Sequence, residues 1–228
     1  RAGAGMVRLS TPGYGNDPGA PTEVVLRPLP SQYWTGEALG DTDRFHALVV
    51  GPGLGRADPT AVSVREFAAK VPLPLVLDGD GLFAVAWNPD GPAAVLHERE
   101  APTVLTPHDG EFALLRGARV GTNRIEAARG LARDLRCVVC LKGATTVVAD
   151  PGGEVFVVTA GDERLATAGT GDVLAGIAGA LLAQHMPAFE AATAAAWLHG
   201  QAARRGALRG LVAGDLPDLL PQVLEELQ

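Results

Sequence analysis

The sequence predicts an α/β fold with a mostly parallel sheet. From Phe45 onward, short apolar runs alternate with stretches of helical periodicity, which is typical of parallel β-α-β units buried on both faces. Two later apolar runs joined by a turn indicate an antiparallel hairpin at the end of the sheet, and a helical tail follows. With 228 residues and 47% hydrophobic content, the chain is expected to bury a sizeable core in one domain.

The strands are predicted from short apolar runs, and the helices from apolar residues spaced three or four apart. The predicted strands are residues 6–10, 24–26, 45–50, 75–78, 103–106, 137–141, 145–149 and 155–159. The predicted helices cover residues 59–70, 81–87, 109–116, 122–135, 172–185, 188–205 and 215–227. Residues 11–22, rich in Gly, Pro, Asn and Asp, are predicted to form a loop. The apolar stripes of the tail suit core packing, with a homo-oligomer interface as the alternative.

Charge and hydropathy exclude several classes of partner. The formal net charge of −7, without a Lys/Arg-rich block, argues against a nucleic-acid surface and against an anionic membrane. No apolar run is long enough, or free enough of Gly, Pro and charge, to span a bilayer, and no basic leader opens the chain. We therefore expect a cytoplasmic protein that holds any anionic ligand locally, by backbone dipoles with or without a metal ion.

Cys137 and Cys140 form a C-x-x-C pattern, which is also found in redox and zinc sites. They lie inside a predicted strand, where residues three apart point to opposite faces. A redox pair normally begins a helix, and a zinc site needs further ligands. We interpret both cysteines as buried core residues. Metal-ligand spacing is also missing among the five histidines, so the sequence leaves any metal ligands unknown; these are His46, His97, His108, His185 and His199.

Four loops with unusual residues follow predicted strands. In open α/β sheets, ligands collect at the carboxyl ends of the strands. Taken singly, a glycine turn or a lysine after a strand is more often structural. Together these loops indicate a site, and their notable residues are the glycines of 51–55, Asp78, Asp80, His108, Glu111 and the segment 142–144.

A glycine-rich turn runs directly into an apolar helix within residues 166–176. Successive backbone N–H groups and the positive end of the helix dipole make such a turn a cradle for phosphate or an oxyanion. Asp172, at the junction, is placed to accept a proton from a substrate hydroxyl as that oxygen attacks phosphorus. The alternative from this stretch alone, and the commoner use of such an Asp, is a plain helix cap.

These motifs together resemble the carbohydrate-kinase-like domain of NAD(P)H-hydrate dehydratases, in the ribokinase-like superfamily. The matching segments are residues 51–55, 77–82, 105–111, 141–147 and 168–174, in the family's order and spanning about residues 45–228. The resemblance implies a three-layer α/β/α fold with C-terminal helices. The glycine turn with its Asp is shared by the whole superfamily, whereas the segments after 105 and 141 favour this family.

The resemblance implies a repair reaction on hydrated NADH or NADPH. A nucleotide phosphorylates the hydrate hydroxyl, and elimination of phosphate restores the dihydronicotinamide. The nucleotide is usually ADP in bacterial members and ATP in eukaryotic ones, and Mg²⁺ is expected as a cofactor. Two alternatives remain open: a small-molecule kinase of the same superfamily acting on a vitamin precursor or sugar, and a non-catalytic nucleotide-binding module.

Residue roles are carried over by position. Asp172 is the implied catalytic base, and Gly53 and His108 join it in contacting the hydrate. The implied nucleotide contacts are Lys142, Gly143, Ala144, Thr145, Thr146 and Gly171. The implied anion hole consists of Ala168, Gly169, Thr170 and Gly171.

The chain departs from the family pattern at several positions. Ala168 stands where glycine is usual, and the acids Asp162 and Glu163 lie near the expected phosphate site, with Arg164 able to offset them. The family's first strand and glycine-rich turn precede the opening residues 1–5, so we expect one domain over residues 1–228 that lacks them. The resemblance also implies a hydrate-epimerase domain or partner.

Overall fold

A central sheet with strands in chain order organises the fold. The computed structural model describes residues 1–15 and 19–227. The strands are β1 (Val7–Leu9), β2 (Val24–Leu26), β3 (Leu48–Val50), β4 (Leu75–Leu77), β5 (Thr103–Leu105), β6 (Val138–Leu141), β7 (Thr146–Ala149) and β8 (Val155–Val158). The helices are α1 (Thr35–Leu39), α2 (Asp58–Lys70), α3 (Asp80–Ala86), α4 (Pro92–Leu96), α5 (Asp109–Arg116), α6 (Arg124–Leu135), α7 (Thr170–Ala183), α8 (Ala188–Arg205) and α9 (Leu216–Glu225).

The strands β3 to β6 are parallel, and their carboxyl ends meet at one edge of the sheet. The pairing register places Val50 beside Leu77, Leu77 beside Leu105, and Leu105 beside Val139. The loops after these strands therefore converge, as expected from the sequence. The strands β7 and β8 are antiparallel and form the predicted hairpin.

Helices cover both faces of the sheet and give the predicted three layers. One core contains Leu75 and Leu77 and packs under α2 to α6, whereas the other contains Val76 and packs under α7 to α9. The cysteines divide in the same way, because Cys137 belongs to the first core and Cys140 to the second. Burial raises the pKa of each thiol to about 12. Both are free thiols, as the sequence predicted.

The sequence missed two short helices and misplaced several ends. The five-residue helices α1 and α4 carry too few apolar positions to show a period. The predicted strand 45–50 begins only at Leu48, because the N–H of Phe45 is turned back to the carbonyl of Thr42. The predicted loop 11–22 includes Asn16, Asp17 and Pro18, which lie outside the described residues.

The two strands nearest the beginning of the chain form a small sheet of their own. The strands β1 and β2 pair in parallel with each other, in the described part of the chain, and not with β3. An apolar cleft of about 610 Å³ separates them from β3 and α7, with Leu9, Val24, Leu48, Val50 and Ile177 among its lining residues. Within residues 1–15 and 19–227, every helix is too short or too polar to cross a membrane.

Candidate active site

A buried ion pair joins the ends of two strands. Lys142 follows β6 and Asp78 follows β4, and Lys142 Nζ lies 2.7 Å from Asp78 Oδ1. The Asp78 side chain is only 3% exposed and the Lys142 side chain 19%. The lysine also lies 3.7 Å from Oε2 of Glu111, which is near the start of α5. Lys142 is therefore part of a charged cluster and not a solvated charge at a strand end.

The helix α7 begins inside the glycine-rich turn, two residues earlier than predicted. Gly169 precedes the helix with φ of 85°, a conformation that favours glycine. Thr170 donates its backbone N–H to the carbonyl of Thr167 and its hydroxyl to the carbonyls of Leu165 and Thr167. In the described part of the chain, the N–H groups of the next two residues, Gly171 and Asp172, have no backbone acceptor. These two groups are free for an anion.

The alanine before this turn does not distort it. Positive φ angles of non-glycine residues within the described range occur at Tyr33, Arg136 and His185, and not at Ala168. The backbone here does not require glycine, so the methyl group of Ala168 brings no backbone strain.

Asp172 is not a helix cap. It is the third residue of α7, and among the described residues its carboxylate accepts no hydrogen bond from the first turn. Burial raises its pKa, as do the charges of Asp78 and Asp80, while Lys142 acts in the opposite direction. The helix-cap alternative is thus excluded, and the carboxylate stays available for chemistry.

Gly171 brings the helix terminus against the ion pair. A Cβ atom on this glycine would lie 3.2 Å from Lys142 Nζ and 3.7 Å from Asp78 Oδ2. The structure therefore assembles the free N–H groups, the ammonium group and the Asp172 carboxylate at one point. The sequence put them at the same edge of the sheet but gave no distances.

His108 lies at the border of this cluster and caps α5. Its Nδ1 accepts hydrogen bonds from the N–H groups of Gly110 at 2.9 Å and Glu111 at 3.2 Å. Glu111 returns the contact, since its Oε2 accepts from the His108 N–H at 2.9 Å. The side chain of His108 is 61% exposed, and its other ring nitrogen, Nε2, lies 3.6 Å from Glu111 Oε1.

The glycines of the loop after β3 have two different surroundings. One has no room for a side chain, and another has a backbone with open space around it. Gly51 has φ of 133°, and a Cβ atom there would lie 1.7 Å from the carbonyl oxygen of Asp78. Gly53 has φ of 69° with open space around it. Gly55 donates its N–H to Asp80 Oδ2 at 2.8 Å. The first glycine is therefore required by the neighbouring strand, whereas Gly53 leaves its backbone accessible.

Residues 142–146 border a small cavity beside α8. Gly143, Ala144 and Thr146 line this cavity of about 50 Å³ together with His199. Thr145 is half-buried between them. Arg124 fixes the segment, because its Nη2 donates to the carbonyl of Lys142 at 2.9 Å.

The acids near the site are partly neutralised. Arg164 Nη2 lies 2.6 Å from Asp162 Oδ2, and this guanidinium holds the pKa of Asp162 below its usual range. Arg164 also donates to the carbonyls of Arg204 and Gly206. The offset expected from Arg164 is thus present for Asp162.

Comparison with known proteins identifies the family of this chain. A sequence model described as NAD(P)H-hydrate dehydratase matches residues 1–226. The chain belongs to the NAD(P)H-hydrate dehydratase family. The bifunctional NAD(P)H-hydrate repair enzyme of Mycobacterium leprae is 45% identical over 202 residues, which are 89% of this chain but 40% of that protein. The chain spans less than half the length of this relative.

Solved structures support both family and fold. The ADP/ATP-dependent NAD(P)H-hydrate dehydratase of Bacillus subtilis, co-crystallised with ATP and Mg²⁺, is 30% identical with a TM-score of 0.76, covering 90% of this chain and 73% of its own. A ribokinase-like superfamily protein from Enterococcus faecalis is 23% identical with a TM-score of 0.84, covering 99% of this chain and 78% of its own. The predicted ribokinase-like fold is confirmed.

The family motifs did not reveal every residue of the site. Asp78, Asp80 and Glu111 were noted from the sequence without a role. The structure places Asp78 in the ion pair and Glu111 beside it, and the charge of Asp80 helps to raise the pKa of Asp172. Arg124 was missed, and His199 was noted only among the histidines without metal-ligand spacing. Both lie within ordinary helical patterns, so only the tertiary contacts reveal them.

The residues around the ion pair are compatible with a magnesium ion bound through a nucleotide. Within residues 1–15 and 19–227, no group of three or more His, Cys, Asp or Glu side chains could hold a metal alone. Mg²⁺ commonly takes most of its ligands from phosphates and water, with one or two carboxylates. Asp78 and Asp172 can supply those carboxylates; burial raises the pKa of Asp172, and the charge of Asp78 raises it further.

Proposed function

We propose that this chain catalyses the nucleotide-dependent dehydration of hydrated NADH or NADPH. The observation that carries the proposal is the position of Asp172, an uncapped carboxylate beside the free N–H groups of α7 and the Lys142–Asp78 ion pair. Family membership and the names of the relatives support the substrate and the use of ADP or ATP.

In this proposal Asp172 removes the proton from the hydrate hydroxyl. The hydroxyl oxygen forms a bond to the terminal phosphorus of the nucleotide, and the bond from that phosphorus to the nucleotide's bridging oxygen breaks. The new phosphate ester is a better leaving group than hydroxide. Its carbon–oxygen bond then breaks with loss of a proton from the adjacent carbon, so phosphate leaves and the dihydronicotinamide double bond returns.

The raised pKa of Asp172 suits it to this step. A general base works best when its pKa approaches the working pH, provided that the base stays mostly ionised. Burial is the largest cause of the raised pKa, and the carboxylates of Asp78 and Asp80 add to it. The Lys142 ammonium group acts in the opposite direction and limits the rise.

Backbone groups hold the transferred phosphoryl group. The N–H groups of Gly171 and Asp172 and the positive end of α7 stabilise its negative charge. Gly169 and Ala168 shape the turn, and Thr170 braces it through its hydroxyl. Bound Mg²⁺, held by Asp78 and Asp172, would neutralise further charge on this group.

The remaining site residues orient the two substrates. We place the nucleotide along Lys142, Gly143, Ala144, Thr145 and Thr146, where Arg124 fixes the backbone. The hydrate contacts the open backbone at Gly53 and the exposed ring of His108. As the M. leprae relative is named bifunctional, we further propose that a hydrate-epimerase domain or partner accompanies this activity.

The test supplies hydrated NADPH and Mg²⁺ to the purified chain, adds ADP or ATP separately, and follows the absorbance of reduced nicotinamide. We expect recovery that requires a nucleotide and is lost in Asp172→Asn. Asp218→Asn, which changes an exposed carboxylate paired with Arg1, is the matched control and keeps full activity. A stable phosphorylated product would instead indicate a kinase, and nucleotide binding without either product would indicate a non-catalytic module.

A further inference from the structure

The central sheet ends in an exposed edge at β8. In the described part of the chain, β8 pairs with β7 on one side and with no strand on the other. Natural edge strands are usually protected by charged residues, proline or a bulge. The strand Val155–Val158 reads Val-Phe-Val-Val and pairs with β7 in unbroken register, so it has none of these protections. Phe156 and Val157, at its centre, are 47% and 48% exposed.

The backbone groups that face outward on this edge belong to Val155 and Val157. The Asp150 N–H donates to the Glu154 carbonyl at 3.0 Å, and bonded pairs alternate with non-bonded pairs along an antiparallel ladder. In the register of β7 and β8, Phe156 therefore bonds to β7. The N–H and C=O groups of Val155 and Val157 point the other way, and residues 1–15 and 19–227 offer them no partner.

The ring of Phe156 is held in place on the α8 side of the sheet. It stacks on the ring of Phe189 in α8, with the two centroids 5.3 Å apart and the planes 28° apart. Phe189 is itself half-buried. A side chain that is already ordered loses little further freedom when another surface covers it. The exposed part of Phe156 is therefore preorganised for an apolar contact.

We propose that β8 pairs in antiparallel orientation with β8 of a second copy of this chain, so that two six-stranded sheets become continuous. A two-fold axis at Phe156 satisfies all the outward backbone groups, because Val155 of each copy then exchanges hydrogen bonds with Val157 of the other. The two Phe156 side chains face each other in the non-hydrogen-bonded pair between them, where opposite side chains are closest. The edge is thus complementary to itself, as a two-fold interface requires.

The charges that flank the edge favour the same orientation. Glu154 is exposed just before β8. After β8, the exposed Arg204 donates from Nη2 to the Thr159 carbonyl at 3.1 Å. Antiparallel pairing brings the start of each β8 beside the end of the other, so Glu154 of one copy approaches Arg204 of the other. A parallel arrangement would place like charges together, which is destabilising.

The first test measures the mass of the full chain by light scattering over a range of concentrations. We expect twice the mass of one chain. Val157→Pro removes an N–H that faces the second copy and not β7, so we expect a monomer that is folded by circular dichroism. Val157→Ala, which shortens the side chain but keeps that N–H, is the matched control and stays dimeric. A monomeric wild type at every concentration would overturn the inference, as would a dimer that Val157→Pro leaves intact.

Cysteine cross-linking tests the register and decides the case if proline unfolds the chain. Two Phe156→Cys residues would meet across the axis with about 4.5 Å between their Cα atoms, so we expect a disulfide-linked dimer on oxidation. Val157→Cys is the control, because its two copies lie diagonally about 7–8 Å apart and should stay unlinked. The native Cys137 and Cys140 are buried and add no background. Absence of the Phe156→Cys cross-link, or stronger linking through Val157→Cys, would overturn the proposed pairing.

Discussion

Lys142 Nζ lies 2.7 Å from Asp78 Oδ1, although 64 positions separate the two residues in the chain. The contact joins the ends of β6 and β4. It lies next to Gly171, where a Cβ atom would be 3.2 Å from Lys142 Nζ. A carboxylate that is almost fully buried needs such a partner, since an unpaired buried charge costs several kcal/mol. The ion pair therefore both stabilises the sheet edge and sets the charge around Asp172.

Removal of the lysine tests this dependence. We expect Lys142→Met to lower the free energy of unfolding by about 3 kcal/mol, because it leaves the Asp78 carboxylate buried and unpaired. Adding Asp78→Asn to that variant should recover part of the loss. Urea unfolding of wild type, both single variants and the double variant measures the coupling. Additive losses would show that the two side chains do not interact.

The glycine at the end of β3 is expected to be indispensable. In Gly51→Ala the new Cβ atom would lie 1.7 Å from the Asp78 carbonyl oxygen, so the loop must move away from β4. We expect little folded protein by circular dichroism. Gly121→Ala is the control, because Gly121 also has positive φ but open space around it. That control should lose only about 1 kcal/mol from backbone strain.

Replacement of the proposed base separates activity from stability. We expect Asp172→Asn to lower the turnover rate by about 10²- to 10⁴-fold, the range for a lost general base. The pKa of Asp172 is raised in the folded state, so its ionised form opposes folding above the pKa of the unfolded chain. Asp172→Asn should therefore raise the melting temperature at pH 7, and this gain should vanish near pH 3. A lower melting temperature at pH 7 would contradict the assigned pKa direction.

The pH dependence of the rate is a second test of the raised pKa of Asp172. Since the raised pKa belongs to a group that must be ionised to accept a proton, activity should fall as pH decreases through that pKa. The acid limb of kcat/KM measures it. Asp80→Asn removes one of the repelling charges and should move this limb to lower pH. A limb that stays in place would remove Asp80 from the electrostatics of the site.

His199 should make the protein sensitive to acid. Its folded-state pKa of about 4 lies below the unfolded value, so it stabilises the fold above pH 6.5 and this contribution is lost as pH falls toward 4. The loss approaches about 1.4 kcal/mol per pH unit within that window. Chemical unfolding between pH 7 and 4.5 measures it. His199→Gln should show a correspondingly shallower decline, and identical slopes would contradict the assignment.

The two cysteines should be inert until the chain unfolds. Their thiols are buried on opposite faces of the sheet, and burial raises the pKa of each to about 12. We expect no reaction with a thiol reagent in the folded protein and two equivalents after denaturation. Fast labelling of the native protein would contradict this burial.

The sequence was sufficient for the order of most elements and for placing the loops of the candidate site at one edge of the sheet. The strands and helices from Phe45 onward were predicted from the spacing of apolar residues along each element, which the sequence shows directly. The failures were short or irregular parts, such as α1, α4 and the first residues of strand 45–50, where turn hydrogen bonds override apolar character. The small β1–β2 sheet was also unexpected, since strand pairing depends on distant neighbours.

By itself, the sequence determined that this protein has an α/β fold, which residues follow its strands, and which family it belongs to. Only the tertiary structure decided that Asp172 is free of capping contacts, that Lys142 pairs with Asp78, and that His199 lines a cavity together with residues of the 142–146 segment. Periodicity and motifs indicate the structure of a single helix, strand or loop. Distances between elements, and the burial that shifts a pKa, arise only when the separate elements pack together.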